Sequence, residues 1–234
     1  MSTPDPAPSP VFESVAPTSV AASHDVLIVG GGLVGASLAI ALDRLGQALG
    51  GLDVALLEAA PPGALPEVFD QRNLSLAEAT ANALRSLDVL QRLRTPTGPI
   101  TRIHISRSGD FGRVLLEAAD HDRAAFGHVV VARDFGDALE SKLGDSARLT
   151  RYRPARFLGF AADGADGSRR VRVADGEGER VIAARLVVAA DGAGSAVRDA
   201  LGIAAEQHDY RQTLFVALVR AERPPDGTAW ERLS

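Results

Sequence analysis

The chain has 234 residues, 46% of them apolar, a net charge of −5 and no cysteine. That length admits one large domain or parts of two, and the apolar fraction is enough for a sizeable core. Interspersed charge with an acidic balance argues against nucleic acid as a partner, and the lack of cysteine excludes disulfides, zinc–thiolate sites and cysteine nucleophiles while permitting a reducing, cytoplasmic setting.

No apolar run approaches the roughly 18 residues a membrane span needs, so any membrane association is expected to be peripheral. Residues 1–24 carry Pro4, Pro6, Pro8, Pro10 and Pro17 among Ser, Thr and Ala and read as a disordered leader. The stretch has neither the basic and apolar regions of a secretory signal nor the arginines of a mitochondrial presequence.

Asp25 to Gly35 reads D-V-L-I-V-G-G-G-L-V-G. A β-branched run, Val26 to Val29, ends in glycines, and an apolar helical pattern from Leu33 to Leu45 follows at once. Strand, tight turn and helix place Gly30, Gly32 and Gly35 in the G-x-G-x-x-G register of dinucleotide-binding turns. Gly30 allows the sharp turn, Gly32 lets a pyrophosphate approach the backbone, and Gly35 lets helix and strand pack closely. The free amides of Gly31, Leu33 and Val34 and the positive end of the helix dipole would then hold the phosphates.

Gly46–Gly51 reads as a flexible link, and Leu52 to Glu58 as a second buried parallel strand. Glu58, at its end and roughly 20 residues past the last glycine, stands where an acid accepts hydrogen bonds from a ribose. An acid there disfavours a 2′-phosphate, which points to FAD or NAD rather than NADP at this site. Ser75 to Glu78 has the pattern of a capping box, with Leu76, Ala79, Ala83, Leu84, Leu87 and Leu90 on one helix face. Arg72, just ahead of it, is either surface charge or a bidentate phosphate ligand.

Ile100–Ser106 and Arg113–Glu117 read as a hairpin across Ser108-Gly109, with His104 on the sheet surface. Asp120-His121-Asp122 resembles a metal cluster, but adjacent residues on a turn diverge, so solvated loop charge is the better reading and no metal site is expected. His128–Arg133 is a strand, and Asp134 is positioned to cap a helix running to about Leu143. Arg133 could contact a phosphate or pair with Asp134 or Asp137. Leu149 to Val181 reads as an antiparallel meander whose arginines line a wet face. Leu186 to Ala190 is a third buried run, feeding Asp191-Gly192-Ala193-Gly194-Ser195, where Ser195 can cap a short helix ended by Gly202. A further strand pattern starts at Thr213.

Three blocks together carry a family likeness: the glycine-rich opening, the strand-end Glu58, and L-V-V-A-A-D-G-A-G-S-A-V-R at 186–198. They resemble the single-component FAD-dependent aromatic hydroxylases of the para-hydroxybenzoate hydroxylase type. The stretches F-D-Q-R-N-L-S-L-A, F-G-H-V-V-V-A-R-D-F-G-D-A-L and T-A-W-E-R-L are most similar to the ubiquinone-biosynthesis branch, which hydroxylates polyprenylated phenols. Gly194 departs from the family, where a polar or charged residue is usual.

The resemblance implies an α/β fold: a Rossmann-like FAD-binding domain of the glutathione-reductase type with a β-meander, plus the start of a mixed-sheet substrate domain. It implies FAD-binding parts at 25–99 and 126–205, a substrate-domain hairpin at 100–125, and the start of a substrate domain at 206–234. Asp191 and Gly192 would contact the FAD pyrophosphate region and serve NAD(P)H binding, and Arg72 and Arg133 would help hold the flavin or its phosphates. NAD(P)H would reduce FAD, and O₂ would then supply the oxygen atom that goes to an electron-rich ring carbon. A cytoplasmic enzyme, with peripheral contact to the inner membrane face or a biosynthetic complex, is the expected setting. Family members are much longer and carry a further Gly-Asp motif, so the 234 residues look like the N-terminal part of such an enzyme. No catalytic base is expected from any motif here. The competing readings are a catalytically silent flavin-binding or assembly fragment and an NAD-linked oxidoreductase.

Overall fold

A computed structural model describes residues 20–64, 70–217, 219 and 222–234. The expected leader lies mostly outside these residues. β1 (Val20–Val29) starts ahead of Asp25, where the sequence pattern begins, because Val20–His24 extends the strand alongside β11 (Gly178–Ala189).

The main sheet has six strands in the order β8-β2-β1-β11-β10-β9, with β2 at Val54–Leu57, β8 at Thr150–Tyr152, β9 at Ala155–Phe160 and β10 at Arg169–Asp175. β1, β2, β8 and β11 run parallel, and β9, β10 and β11 pair antiparallel. β1 alternates its side chains between two cores. Val26 and Ile28 join a cluster with Ala36, Ala39 and Ile40 of α1 (Leu33–Ala48) and with Phe135, Ala138 and Leu139 of α3 (Ala132–Gly144). Leu27 and Val29 join the opposite cluster with Phe157, Val171, Val173 and Ile182. A strand buried on both faces needs a continuous apolar run, which is the pattern of Val26–Val29.

Two smaller sheets flank this unit. One has the order β3-β7-β4, with β3 at Asn73–Ala77, β4 at Gly98–Ile100 and β7 at Gly127–Val131. The other has the order β12-β5-β6, with β5 at Arg102–Arg107, β6 at Val114–Glu117 and β12 at Thr228–Leu233. The predicted hairpin is β5 and β6, and His104 sits on it with its ring 4.5 Å from that of Trp230.

Several local expectations are corrected. Gly46 is no link residue: α1 runs through it, and it is buried so closely that a Cβ there would stand 2.9 Å from that of Leu52. Ser75 caps nothing. It lies in β3 opposite Val129, and α2 (Glu78–Ser86) starts at Glu78 without a side-chain cap. That helix buries Ala81 and Leu84 and leaves Ala79 and Ala83 exposed, because its phase is set by the strand that feeds it. Asp134 caps not its own helix but the chain beyond a 3-10 turn, accepting the Arg94 and Thr95 amides at 3.0 and 2.9 Å. Part of the meander is parallel, since β8 pairs with β2. The last meander strand and the run from Leu186 are one strand, β11, serving both arrangements, and that run is not buried as expected: Val181–Ala184 are the buried stretch, while Leu186 and Ala189 are exposed. Residues 213–217 carry no strand, and the rest of that predicted element includes positions outside the described residues; β12 is the strand that joins β5.

His128 on β7 ties these layers together. Arg85 of α2 donates to its Nε2 at 2.7 Å, and Nδ1 lies 3.1 Å from Thr97 Oγ1. Only a neutral ring can accept from a guanidinium. Burial, and then the Arg85 charge, lower the His128 pKa from its usual value of 6.5. The unfolded chain thus binds this proton more tightly, so the stability supplied by neutral His128 is full above about pH 6.5 and is lost as pH falls through the folded-state value. Urea midpoints should therefore fall from about pH 7 to about pH 5 more steeply in the native sequence than in His128→Gln; equal slopes would refute this role.

A second expectation concerns Gly35, where an added Cβ would stand 1.8 Å from the Gly30 carbonyl oxygen. Gly35→Ala should cost about 2 kcal/mol or more in denaturant unfolding. Gly144→Ala, with open space at the end of α3, should leave stability unchanged or raise it by up to about 1 kcal/mol.

Candidate functional site

The parallel strands β1, β2 and β11 end on one edge of the main sheet, and the turns leaving them frame a crevice of about 520 Å³. This is where open α/β sheets bind ligands. Its walls are Gly30, Gly32, Leu33 and Val34 from the first turn, Glu58 and Ala59 from the second, Ala155–Phe157 from β9, and Ala190, Asp191, Gly192, Gly194 and Ala196 from the third.

The first turn and the third touch. Gly30 has φ +105, and a Cβ there would lie 2.4 Å from the Ala190 carbonyl oxygen and 2.8 Å from Asp191 Cα. Gly35 packs under this joint, its Cβ position 3.2 Å from that of Ala190. Gly30 donates to Leu57 O at 2.8 Å, and Ala190 donates to Val29 O at 2.8 Å, so all three strand ends are fastened together. Gly32 is the N-cap of α1 in extended backbone and offers no side-chain cap. The first helical hydrogen bond runs from Ala36 N–H to Gly32 O at 2.9 Å. The amides ahead of it have no partner within the helix, and Leu33 and Val34 among them line the crevice, so an anion there can accept from them. Val34, 71% exposed, stands at the same mouth.

Glu58 is half-buried and held from two sides. Gly31 N–H donates to Oε2 at 2.7 Å and Ala60 N–H donates to Oε1 at 2.6 Å, so the Gly31 amide, expected to be free for a phosphate, is instead taken by Glu58. The carboxylate thereby bridges the first turn and the second, with acceptor capacity left for hydroxyl donors. Asp191 lines the opposite lip, and its own carboxylate serves α4 (Ala196–Ala200). Oδ1 accepts from the Ser195 hydroxyl at 2.5 Å and Oδ2 from the Val197 amide at 3.1 Å. Ser195 Oγ in turn accepts the Arg198 amide at 3.0 Å, the expected cap. Gly192, at φ +85, turns the chain between them.

Arg72 and Arg133 do not line this crevice. Both lie beside Asp70: Arg72 Nε donates to its Oδ2 at 2.6 Å, and the Arg133 backbone N–H donates to its backbone carbonyl at 2.8 Å. The Arg72 amide, the Arg72 guanidinium and then the Arg133 charge hold the Asp70 carboxyl below its usual range. The sequence reading missed Ala155–Phe157, because their place depends on β9 folding back so that Ala155 N–H reaches Glu58 O at 2.8 Å. It also missed Arg153, hidden in a run of arginines that looked like a wet sheet face.

A second cavity, of about 670 Å³, lies between β7, β4 and the start of β12; its apolar lining comes from Val129–Val131, Pro96, Pro99, Ile100, Pro225 and Ala229, and its polar lining from Asn73, Thr95, Thr101, Asp226 and Thr228. Among the described residues there is no group of His, Asp or Glu that could hold a metal ion, and no helix long and apolar enough to cross a membrane.

A capless helix start at the end of a parallel strand, glycines where a Cβ would block the backbone, and an acid at the end of the next strand fit the phosphates and ribose of a dinucleotide. The class of protein so defined is a dinucleotide-binding α/β protein. The chain belongs to the family described as "FAD binding domain", which matches residues 23–231, and FAD is accordingly its cofactor. It is 34% identical over 208 residues to a ubiquinone hydroxylase, UbiL, of Rhodospirillum rubrum, covering 88% of this chain and 46% of that protein. It is 29% identical over 217 residues to the 3-demethoxyubiquinol 3-hydroxylase of Escherichia coli, covering 90% and 52%. Among solved structures, the p-nitrophenol 4-monooxygenase PnpA of Pseudomonas putida superposes with a TM-score of 0.63 at 21% identity, covering 77% of this chain and 44% of that one. Aklavinone-11 hydroxylase, solved with FAD and aklavinone, superposes with a TM-score of 0.56 at 25% identity, covering 76% and 35%. The chain spans about half the length of the curated relatives it matches.

A Cβ at Gly31 would stand 2.8 Å from Glu58 Oε2. Gly31→Ala should therefore push the carboxylate aside and weaken FAD binding about tenfold in a fluorescence titration, with little change in urea midpoint.

Proposed function

We propose that this chain carries the FAD-binding part of an aromatic-ring monooxygenase that acts on a polyprenylated phenol of ubiquinone biosynthesis, with NAD(P)H and O₂ as co-substrates. The observation that carries the reading is the single crevice shared by the first and third turns, pressed together at Gly30 and Ala190. A lone glycine-rich turn would suit many dinucleotide proteins; the paired turns, with the ubiquinone hydroxylases among the relatives, favour this one.

In this reading the backbone of Gly32, Leu33 and Val34 at the start of α1 cradles the pyrophosphate, Gly30 and Gly35 allow the close joint behind it, the Gly31 amide holds Glu58, and Glu58 accepts from the adenosine ribose. Asp191 shapes the opposite lip through α4, and Gly192 lets the chain pass close to the cofactor. Arg72, in exchange for its present pairing with Asp70, and the Arg133 side chain add positive charge. When bound, FAD supplies the redox chemistry that moves one oxygen atom of O₂ to the ring. The chain's residues bind and orient it. The mainly apolar second cavity has the character an aromatic or prenyl group requires. Residues 25–99 and 126–205 form the cofactor-binding part, and 100–125 with 206–234 begin the substrate-binding part; the separate β12-β5-β6 sheet supports that division. Peripheral contact with a membrane or a biosynthetic complex would suit so apolar a substrate.

The test is flavin retention by the 234-residue chain. Mixed with FAD and desalted, it should stay yellow with near-stoichiometric flavin, and Gly32→Trp should come through colourless. A colourless native chain would favour a silent assembly role, and retention of NAD⁺ in place of FAD would favour the NAD-linked reading.

A further inference from the structure

Behind Glu58, away from the crevice, lies a charged cluster formed by Arg151 and Arg153 at β8 and Glu140 of α3. The Arg153 side chain is only 6% exposed, and each part of its guanidinium is committed. Nε donates to Ala60 O at 2.8 Å, one terminal nitrogen donates to Glu140 Oε2 at 2.9 Å, and the other donates to Ala64 O. Glu140 also pairs with Arg151, which anchors the fork to α3.

Ala60 is thus gripped through both its backbone groups. Its carbonyl is held by Arg153, and its amide donates to Glu58 Oε1 at 2.6 Å. The Glu58 backbone is clasped by the same segment, with its amide on Tyr152 O at 3.0 Å and its carbonyl receiving Ala155 N–H at 2.8 Å. We propose that Arg153 is a positioning residue for the adenosine half of the cofactor: it lies outside the crevice, yet it fixes the 59–64 turn and so aims the Glu58 carboxylate at the ribose hydroxyls. The inference rests on the FAD reading and deepens it. A rigid five-donor fork can hold two carbonyls and a carboxylate at once, whereas an ammonium is a single point donor that cannot reproduce that geometry.

The consequence is selective. Without the fork, the 59–64 turn keeps its covalent path but loses two charge-assisted bonds, and the Ala60 amide no longer fixes Glu58. Affinity should fall for ligands that use Glu58 and stay the same for those that do not.

The experiment compares FAD with an FAD analogue whose adenosine ribose lacks both its 2′- and 3′-hydroxyls, titrated by flavin fluorescence into the full chain. The native chain should prefer FAD. Arg153→Met, which keeps the stem and drops the donors, should weaken FAD about tenfold and erase the preference, leaving the analogue's affinity within about twofold of native. Should the Met variant fail to fold, Arg153→Lys carries the test, with FAD about threefold weaker and the analogue unchanged. Equal weakening of both ligands would mean a merely structural role and would overturn the proposal, as would no weakening at all. A native chain that binds neither ligand would instead overturn the FAD reading, and the proposal with it.

Discussion

The close approach of two backbone turns is the constraint on which the rest depends. Gly30 and Ala190 leave no room for a Cβ on the glycine, and Gly35 fits the space beneath them only because it too lacks one. This contact brings the ends of β1 and β11 into register although most of the chain separates them. The helix start that faces the crevice, the acid that closes its side and the helix α4 that supports its other lip all take their positions from that joint. The site is a property of packing first, and its chemistry follows from where packing leaves amides and a carboxylate open.

Charge within the site is held just as firmly. Neither carboxylate at the crevice is loose: Glu58 ties one turn to the next, and Asp191 braces a five-residue helix. Each fixed acid rigidifies the wall it belongs to, and preorganisation of this kind reduces the ordering cost of binding. The arginines show the contrast. Arg153 is buried and fully engaged, while Arg72 is exposed and paired only with its near neighbour Asp70. An exposed pair of that kind contributes little to stability, so Arg72 can exchange its partner at small cost.

The glycine-rich turn, the two buried strands, the acid at 58 and the Asp191–Arg198 block were legible because each is a local pattern with one physical reading. The β5–β6 hairpin was legible for the same reason. What failed was non-local. Ser75 has a capping sequence, but β7 claims its backbone as a strand partner. Asp134 stands at a helix start, yet amides from the preceding connection reach it first. The strand from 178 to 189 looked like two because its antiparallel partner β10 reaches only to Ala184 while its parallel partner β1, on the other edge, continues to Ala189, which composition does not encode. Arg153 was invisible because alternation alone does not distinguish a wet arginine from one folded under a turn.

The pairing of the first strand with the eleventh also bears on synthesis. β1 leaves the ribosome with an apolar, β-branched segment that finds its β11 partner only after roughly 150 further residues, on the order of ten seconds of translation. Until then its open edge is a template for other chains, so nascent protein is most vulnerable to aggregation, and most dependent on chaperones, in that interval.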